Sequence, residues 1–217
     1  MKKSVVFAII TLAVFALSFI LKFTGGNKTV SYQNSEDCPP EGSAISERIK
    51  ELNKFKNRIE FPQKKDFDSL ITLQKILEPG DDTKRWDNTK AVSIIGFVFE
   101  LKNGGVETCN CKDPNAKDTH IEILLDPMKN EKMQRVVAEV TPRIRKLMLA
   151  KGIDWSTKTL RDKILGRWVK FDGWLFFDEE HANAAENTTP GRERNWRATA
   201  WEIHPITNME VTVRPRN

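Results

Sequence analysis

The sequence predicts a mainly β domain of the α+β class. Five strands carry a helix between the third and the fourth, and two amphipathic helices and an apolar segment precede them. Three observations support this. The hydrophobic period changes from helical spacing to two at Ala91. Alternating runs follow as far as Val213, with a helical stretch after the third run. A charge-free run from Ser4 to Leu21 opens the chain.

At 1.5 Å per residue the Ser4–Leu21 run would span about 27 Å, the thickness of a bilayer's hydrocarbon core. Lys2 and Lys3 before it read as the cytoplasmic side of an uncleaved signal anchor. Ala16-Leu17-Ser18 offers the other reading, a signal peptide that is cut. Both export the remainder. The expected location is therefore membrane-anchored with a periplasmic or extracellular domain, or secreted after cleavage, and the membrane is a partner through Ser4–Leu21. Of the net charge of +5, three units belong to Lys2, Lys3 and Lys22 around this run, leaving +2. The basic balance is mostly a targeting feature, and export argues against genomic DNA as a partner.

The expected divisions are residues 1–23 for the leader, 24–44 for a polar linker, 45–90 for a helical extension and 91–217 for the β domain. Thr24 to Gly42 is polar, with Gly-Gly and Pro-Pro and no hydrophobic period. Ile45, Ile49, Leu52, Phe55 and Ile59 then form one apolar helical stripe, stopped by Pro62. A second helix is expected over Phe67–Leu77, ending at Pro79-Gly80.

The strands follow in order. The first starts at Ala91 and closes at Asn103-Gly104-Gly105, with Gly96 marking a bend or bulge. Thr119–Leu125 sets Ile121, Ile123 and Leu125 against His120, Glu122 and Leu124. Arg135–Thr141 turns Val136, Ala138 and Val140 inward. Pro142–Leu149 and Ser156–Leu165 are helical. Arg167–Phe177 points Val169, Phe171, Leu175 and Phe177 inward and Trp168 and Trp174 outward. The last strand is expected from Asn195 to Ile206, continuing to Val213.

This order, with a bent first strand and a helix between the third and fourth strands, resembles the OB-fold, a five-stranded barrel. The resemblance covers Ala91 to Val213. It implies a ligand site between the first-to-second and fourth-to-fifth connections. Those are Lys102–Asp118, holding Cys109, Cys111 and Lys112, and Asp178–Arg194, holding His181, Arg192 and Arg194.

From Thr141 to Asn217 there are fourteen basic and ten acidic residues, and Trp168, Trp174, Trp196 and Trp201 stand among the arginines. Arginine beside tryptophan grips phosphate or carboxylate while the indole stacks on a base or sugar. Lys112, Trp174, Arg192, Arg194, Trp196 and Arg197 are the expected ligand-binding residues. The ligand is expected to be a polyanion, a saccharide or an envelope protein. The alternative for these tryptophans is packing beneath the N-terminal helices.

Cys38, Cys109 and Cys111 are three, so one stays unpaired. A Cys109–Cys111 bridge closes a strained ring, whereas Cys38 bonded to either would staple the linker to the barrel. No cofactor is expected; the alternative is a zinc site of Cys109 and Cys111 with His120, His181 or His204. G-x-S-x-G, H-E-x-x-H and P-loop patterns do not occur. The expectation is a binding or scaffold module rather than an enzyme, with a metal-dependent hydrolase or redox protein as the alternative.

Overall fold

The computed structural model describes residues 38–129 and 131–215. The leader and the linker up to residue 37 lie outside them. Among the described residues no helix is long and apolar enough to cross a membrane.

Five strands close into a barrel in the order β1-β2-β3-β5-β4 and back to β1. They are β1 (Ala91–Asn103), β2 (Thr119–Leu124), β3 (Arg135–Val140), β4 (Trp168–Phe177) and β5 (Trp201–Thr212). The long β1 serves two neighbours, pairing through its first half with β4 and through its second with β2. Its register slips between Val98 and Glu100, the bend that lets one strand turn from one partner to the other. Gly96, two residues earlier, is needed for proximity: a Cβ there would sit 3.1 Å from that of Ile123. A short parallel contact, Val137 with Glu202 and Ala138 with Ile203, closes the barrel between β3 and β5.

The inward alternation holds. Ile94, Ile121, Ile123, Val136, Ala138, Val169, Phe171 and Ile203 are buried together in one core. Each large side chain fully buried here contributes roughly 1.5–3 kcal/mol. Four α-helices among the described residues lie outside the strands: α1 (Glu47–Lys56), α2 (Leu73–Leu77), α3 (Pro142–Ala150) and α4 (Thr157–Ile164). The connection from β3 to β4 thus holds two of them. Thr141 and Ser156 start these two by accepting backbone N–H bonds from Ile144 and Thr159. Ile144, Leu160 and Ile164 then join the core.

Three segments depart from the sequence reading. The first helix is shorter than residues 45–59 and buries Leu52, Asn53 and Lys56, while Ile45 is 96% exposed. Its covered face combines Leu52 of the apolar stripe with Asn53 and Lys56, which are held by polar partners. The Phe67–Leu77 helix shrinks to α2, because Phe67 bridges Ala91 as a β partner and Thr72 then caps a fresh start by accepting from Lys75 N–H. The last strand begins at Trp201 rather than Asn195. The preceding residues are held instead by Asp82, which accepts from Thr199 Oγ1 at 2.7 Å and Ala200 N at 2.9 Å.

Residues 38–44 are built into the fold and not a free linker. Cys38 is disulfide-bonded to Cys111 in the β1–β2 connection. Ser43 N–H donates to Thr108 O, and Asn57 donates to the carbonyls of Pro40 and Cys109. Gly42 (φ 64°) passes so close that a Cβ would collide with the Thr108 carbonyl.

Candidate functional site

Alternation that buries one face of β2, β3 and β5 delivers charged residues to the other. His120 and Glu122 flank Ile121, Glu139 separates Ala138 from Val140, and Glu202 and His204 flank Ile203. The register sets His120 beside Glu139, with His120 Nδ1 2.8 Å from Glu139 Oε1. On the outside of a barrel such groups would normally meet water. Here α1 and the two long connections cover them, and Glu122, Glu139, Glu202 and His204 are all buried.

The covering layer brings its own charges. Lys56, from the last turn of α1, is buried and donates to Glu107 of the β1–β2 connection at 2.7 Å. Arg197, from the β4–β5 connection, is only 1% exposed and donates to Glu202 and Asp178. Asp178 is also 2.7 Å from His181 Nδ1. Buried charges persist when paired in this way, because an unpaired one loses its hydration with no return.

Between the two connections lies a pocket of about 270 Å³. Gly104, Val106 and Glu107 form one wall, and Asp178, His181, Trp196 and Arg197 the other. His120, Glu139 and Glu202 rise from the strands, and Lys56 from α1. The half-buried Trp196 ring stands 5.8 Å from the His120 ring. The two long connections therefore meet at one mouth.

The electrostatics follow from burial and pairing. Burial disfavours the charge on His120, but its bonds to Glu122 and Glu139 outweigh this and lift its pKa to about 9. Burial likewise opposes charge on Glu139, while His120 and His204 hold it down at about 2. Asp118, buried beside Glu139, is pushed up to about 7. The Cys109 thiol is pushed well up by burial and by Asp118. The pocket thus holds charged acceptors, charged donors and one aromatic face at neutral pH.

The expected ligand residues separate into three groups. Trp196 and Arg197 line the pocket, but Arg197 is committed to its two carboxylates and not free for an anion. Trp174 is 9% exposed, donates from Nε1 to the Glu60 carbonyl and lies beneath the Arg58 guanidinium. It packs under the N-terminal extension. Lys112, Arg192 and Arg194 are exposed on the connections and are not pocket-lining residues.

The expected zinc set is likewise divided. Cys111 is oxidised with Cys38 and cannot serve as a thiolate, while Cys109 is free and buried. His120 and His204 both face Glu139, while His181 bonds to Asp178. Residues not anticipated as site residues are Lys56, Glu107, Asp118, Glu139, Asp178 and Glu202. A signal for two of them was present: single charged residues on alternate positions of otherwise apolar strands, at Glu139 and Glu202. Comparison with protein-family models, curated proteins and solved structures finds no match to this chain.

Proposed function

We propose that this chain is an OB-like binding module, held outside the cytoplasm by its N-terminal apolar segment, that takes a sugar-like, hydroxyl-rich polymer into the pocket at the barrel mouth. The observation that carries the reading is the pocket's composition. A half-exposed indole, Trp196, stands over carboxylates and histidines, next to cations that are already paired. Hydroxyl groups are met well by charged acceptors and donors, and an indole face suits the apolar face of a sugar ring. A phosphate polymer is served poorly, since Lys56 and Arg197 already hold carboxylates.

The OB-like assignment draws on the closed barrel, its strand order and the connection between β3 and β4. Export draws on the Cys38–Cys111 disulfide, a bond at home in oxidising compartments.

The test is retention of the full chain, kept in detergent for its apolar leader, on immobilised peptidoglycan, a neutral glucan and double-stranded DNA. Retention on a glycan, lost in Trp196→Ala and kept in the Arg192→Ala/Arg194→Ala double variant, is expected. Retention on DNA alone, falling steeply with salt and lost in the double arginine variant, overturns it. So does no retention on any of the three.

A further inference from the structure

At the end of the barrel where α3 begins, the surface is apolar and basic together. A cleft of about 370 Å³ lies there, lined by Arg143, Lys146, Leu147 and Ala150 of α3 with Ile59 and Cys38. Beside α3, the Lys151 ammonium stands over the Phe61 ring, 4.2 Å from its centre. Ile59, Phe61, Leu149 and Ile153 are between 39% and 65% exposed. Large apolar side chains left bare among polar ones mark a surface that something covers.

The charge of this face has one dominant sign. Residues 142–153 hold Arg143, Arg145, Lys146 and Lys151 and no acid. Arg145 donates to the Lys117 carbonyl and to Thr119, away from the cleft. Arg143 donates to the carbonyls of Cys38 and Pro39, which fix the guanidinium without cancelling its charge. The acids nearby are Glu60 between Ile59 and Phe61, Glu41 at 3.6 Å from Lys54, and Glu36 and Asp37 just before Cys38.

The layout of the chain says what lies within reach. Cys38, in the cleft wall, is where residues 22–37 join the domain. With Ser4–Leu21 in a bilayer, as proposed above, that stretch keeps the cleft within about 55 Å of the lipid even when fully extended. A tether of this length raises the effective concentration of the lipid surface, so a shallow contact is enough to hold the face down.

We propose that this face docks on an anionic lipid surface, with Arg143, Lys146 and Lys151 among the headgroups and Ile59, Phe61 and Ile153 at the acyl boundary. Cations and bare apolar side chains on one surface are the mark of interfacial segments, which gain from both buried area and attraction to anionic lipid. Lysine suits the place, because its stem lies along apolar surface while the ammonium stays with the polar layer. The inference rests on the anchor in the proposed function and not on the saccharide.

The experiment labels the full chain carrying Ile153→Cys with a polarity-sensitive fluorophore in detergent. Cys109 is buried, so the wild type should take no label. The control is Met128→Cys, 86% exposed in the β2–β3 connection, at the other end of those strands from α3. Both are reconstituted into vesicles of phosphatidylcholine, alone or mixed with phosphatidylglycerol, and floated on a density gradient. Flotation with both kinds of vesicle reports the anchor. A blue shift at Ile153→Cys in the anionic vesicles, absent at Met128→Cys, is expected to be lost at high salt and in the Lys146→Gln/Lys151→Gln variant. Floated protein with no shift at Ile153→Cys, or an equal shift at Met128→Cys, overturns the docking face and leaves the anchor standing. A shift already present in detergent that grows with protein concentration assigns the face to a second copy and also overturns it. Protein that floats with neither kind of vesicle overturns the anchor and this inference together. Flotation with anionic vesicles alone, lost in the double lysine variant, overturns the anchor and upholds the face.

Discussion

Arg197 Nη2 donates to Asp178 Oδ2 at 3.2 Å while its Nη1 donates to Glu202, so one buried guanidinium ties the two ends of the β4–β5 connection together, at the residue that follows β4 and inside β5. Removing this cation takes one charged partner from each of two buried carboxylates. Arg197→Met should cost about 3–5 kcal/mol, read as a lower denaturation midpoint. A change below about 1 kcal/mol would show that water enters the cluster freely.

The Asp178–His181 pair sets a pH dependence. Its bond to Asp178 raises the His181 pKa above 6.5 despite opposing burial, with Arg197 lowering it and Glu202 raising it. Burial pushes Asp178 up, but His181, Lys56 and Arg197 together hold it well below 3.8. Stability from the raised histidine is complete below 6.5 and is lost as pH rises through its folded value. Stability from the depressed acid is complete above 3.8 and is lost as pH falls through its folded value. The pair is therefore strongest between 3.8 and 6.5. Proton NMR should place the His181 titration above 6.5, and Asp178→Asn should bring it down.

The Cys38–Cys111 bridge closes a loop of 73 residues and clamps residues 38–44 onto the β1–β2 connection. Cys111→Ser should lower stability by about 2–5 kcal/mol, measured by denaturant unfolding. Thiol titration of unfolded, unreduced wild-type protein should find one free thiol, that of Cys109.

At the irregular pairing of β4 with β5, a Cβ on Gly173 would meet Ile203 Cγ2 at 2.5 Å and the Pro205 carbonyl at 2.6 Å. Neither neighbour has room to move, since Ile203 is in the core and the carbonyl is backbone. Gly173→Ala should destabilise by about 1–3 kcal/mol, with the loss visible in thermal unfolding.

The barrel was legible because alternation is a local signal: residues such as Ile121 and Ile123 declare their face without reference to any partner. The mouth was legible through the lengths of the two connections that meet there. Much of the site was not. Lys56 looks like a solvated helix lysine until Glu107, fifty-one residues away, is brought against it. Ile45 belongs to an apolar stripe yet stays exposed, because α1 starts only at Glu47 and leaves it outside the helix. For Trp174 the sequence left ligand stacking and packing beneath the N-terminal extension both open, and tertiary structure decides for packing, with Arg58 lying over it. Pairing between distant charges leaves no periodic trace in a chain.

The central claim is that the pocket between the two connections receives the ligand. Nitrogen-labelled full chain titrated with soluble peptidoglycan fragments and followed by NMR tests it most directly. Shifts concentrated on the Trp196 indole N–H, Gly104, Gly105 and His120 are the predicted result. Shifts confined to Lys112, Arg192 and Arg194, or no shifts at saturating glycan, would contradict it.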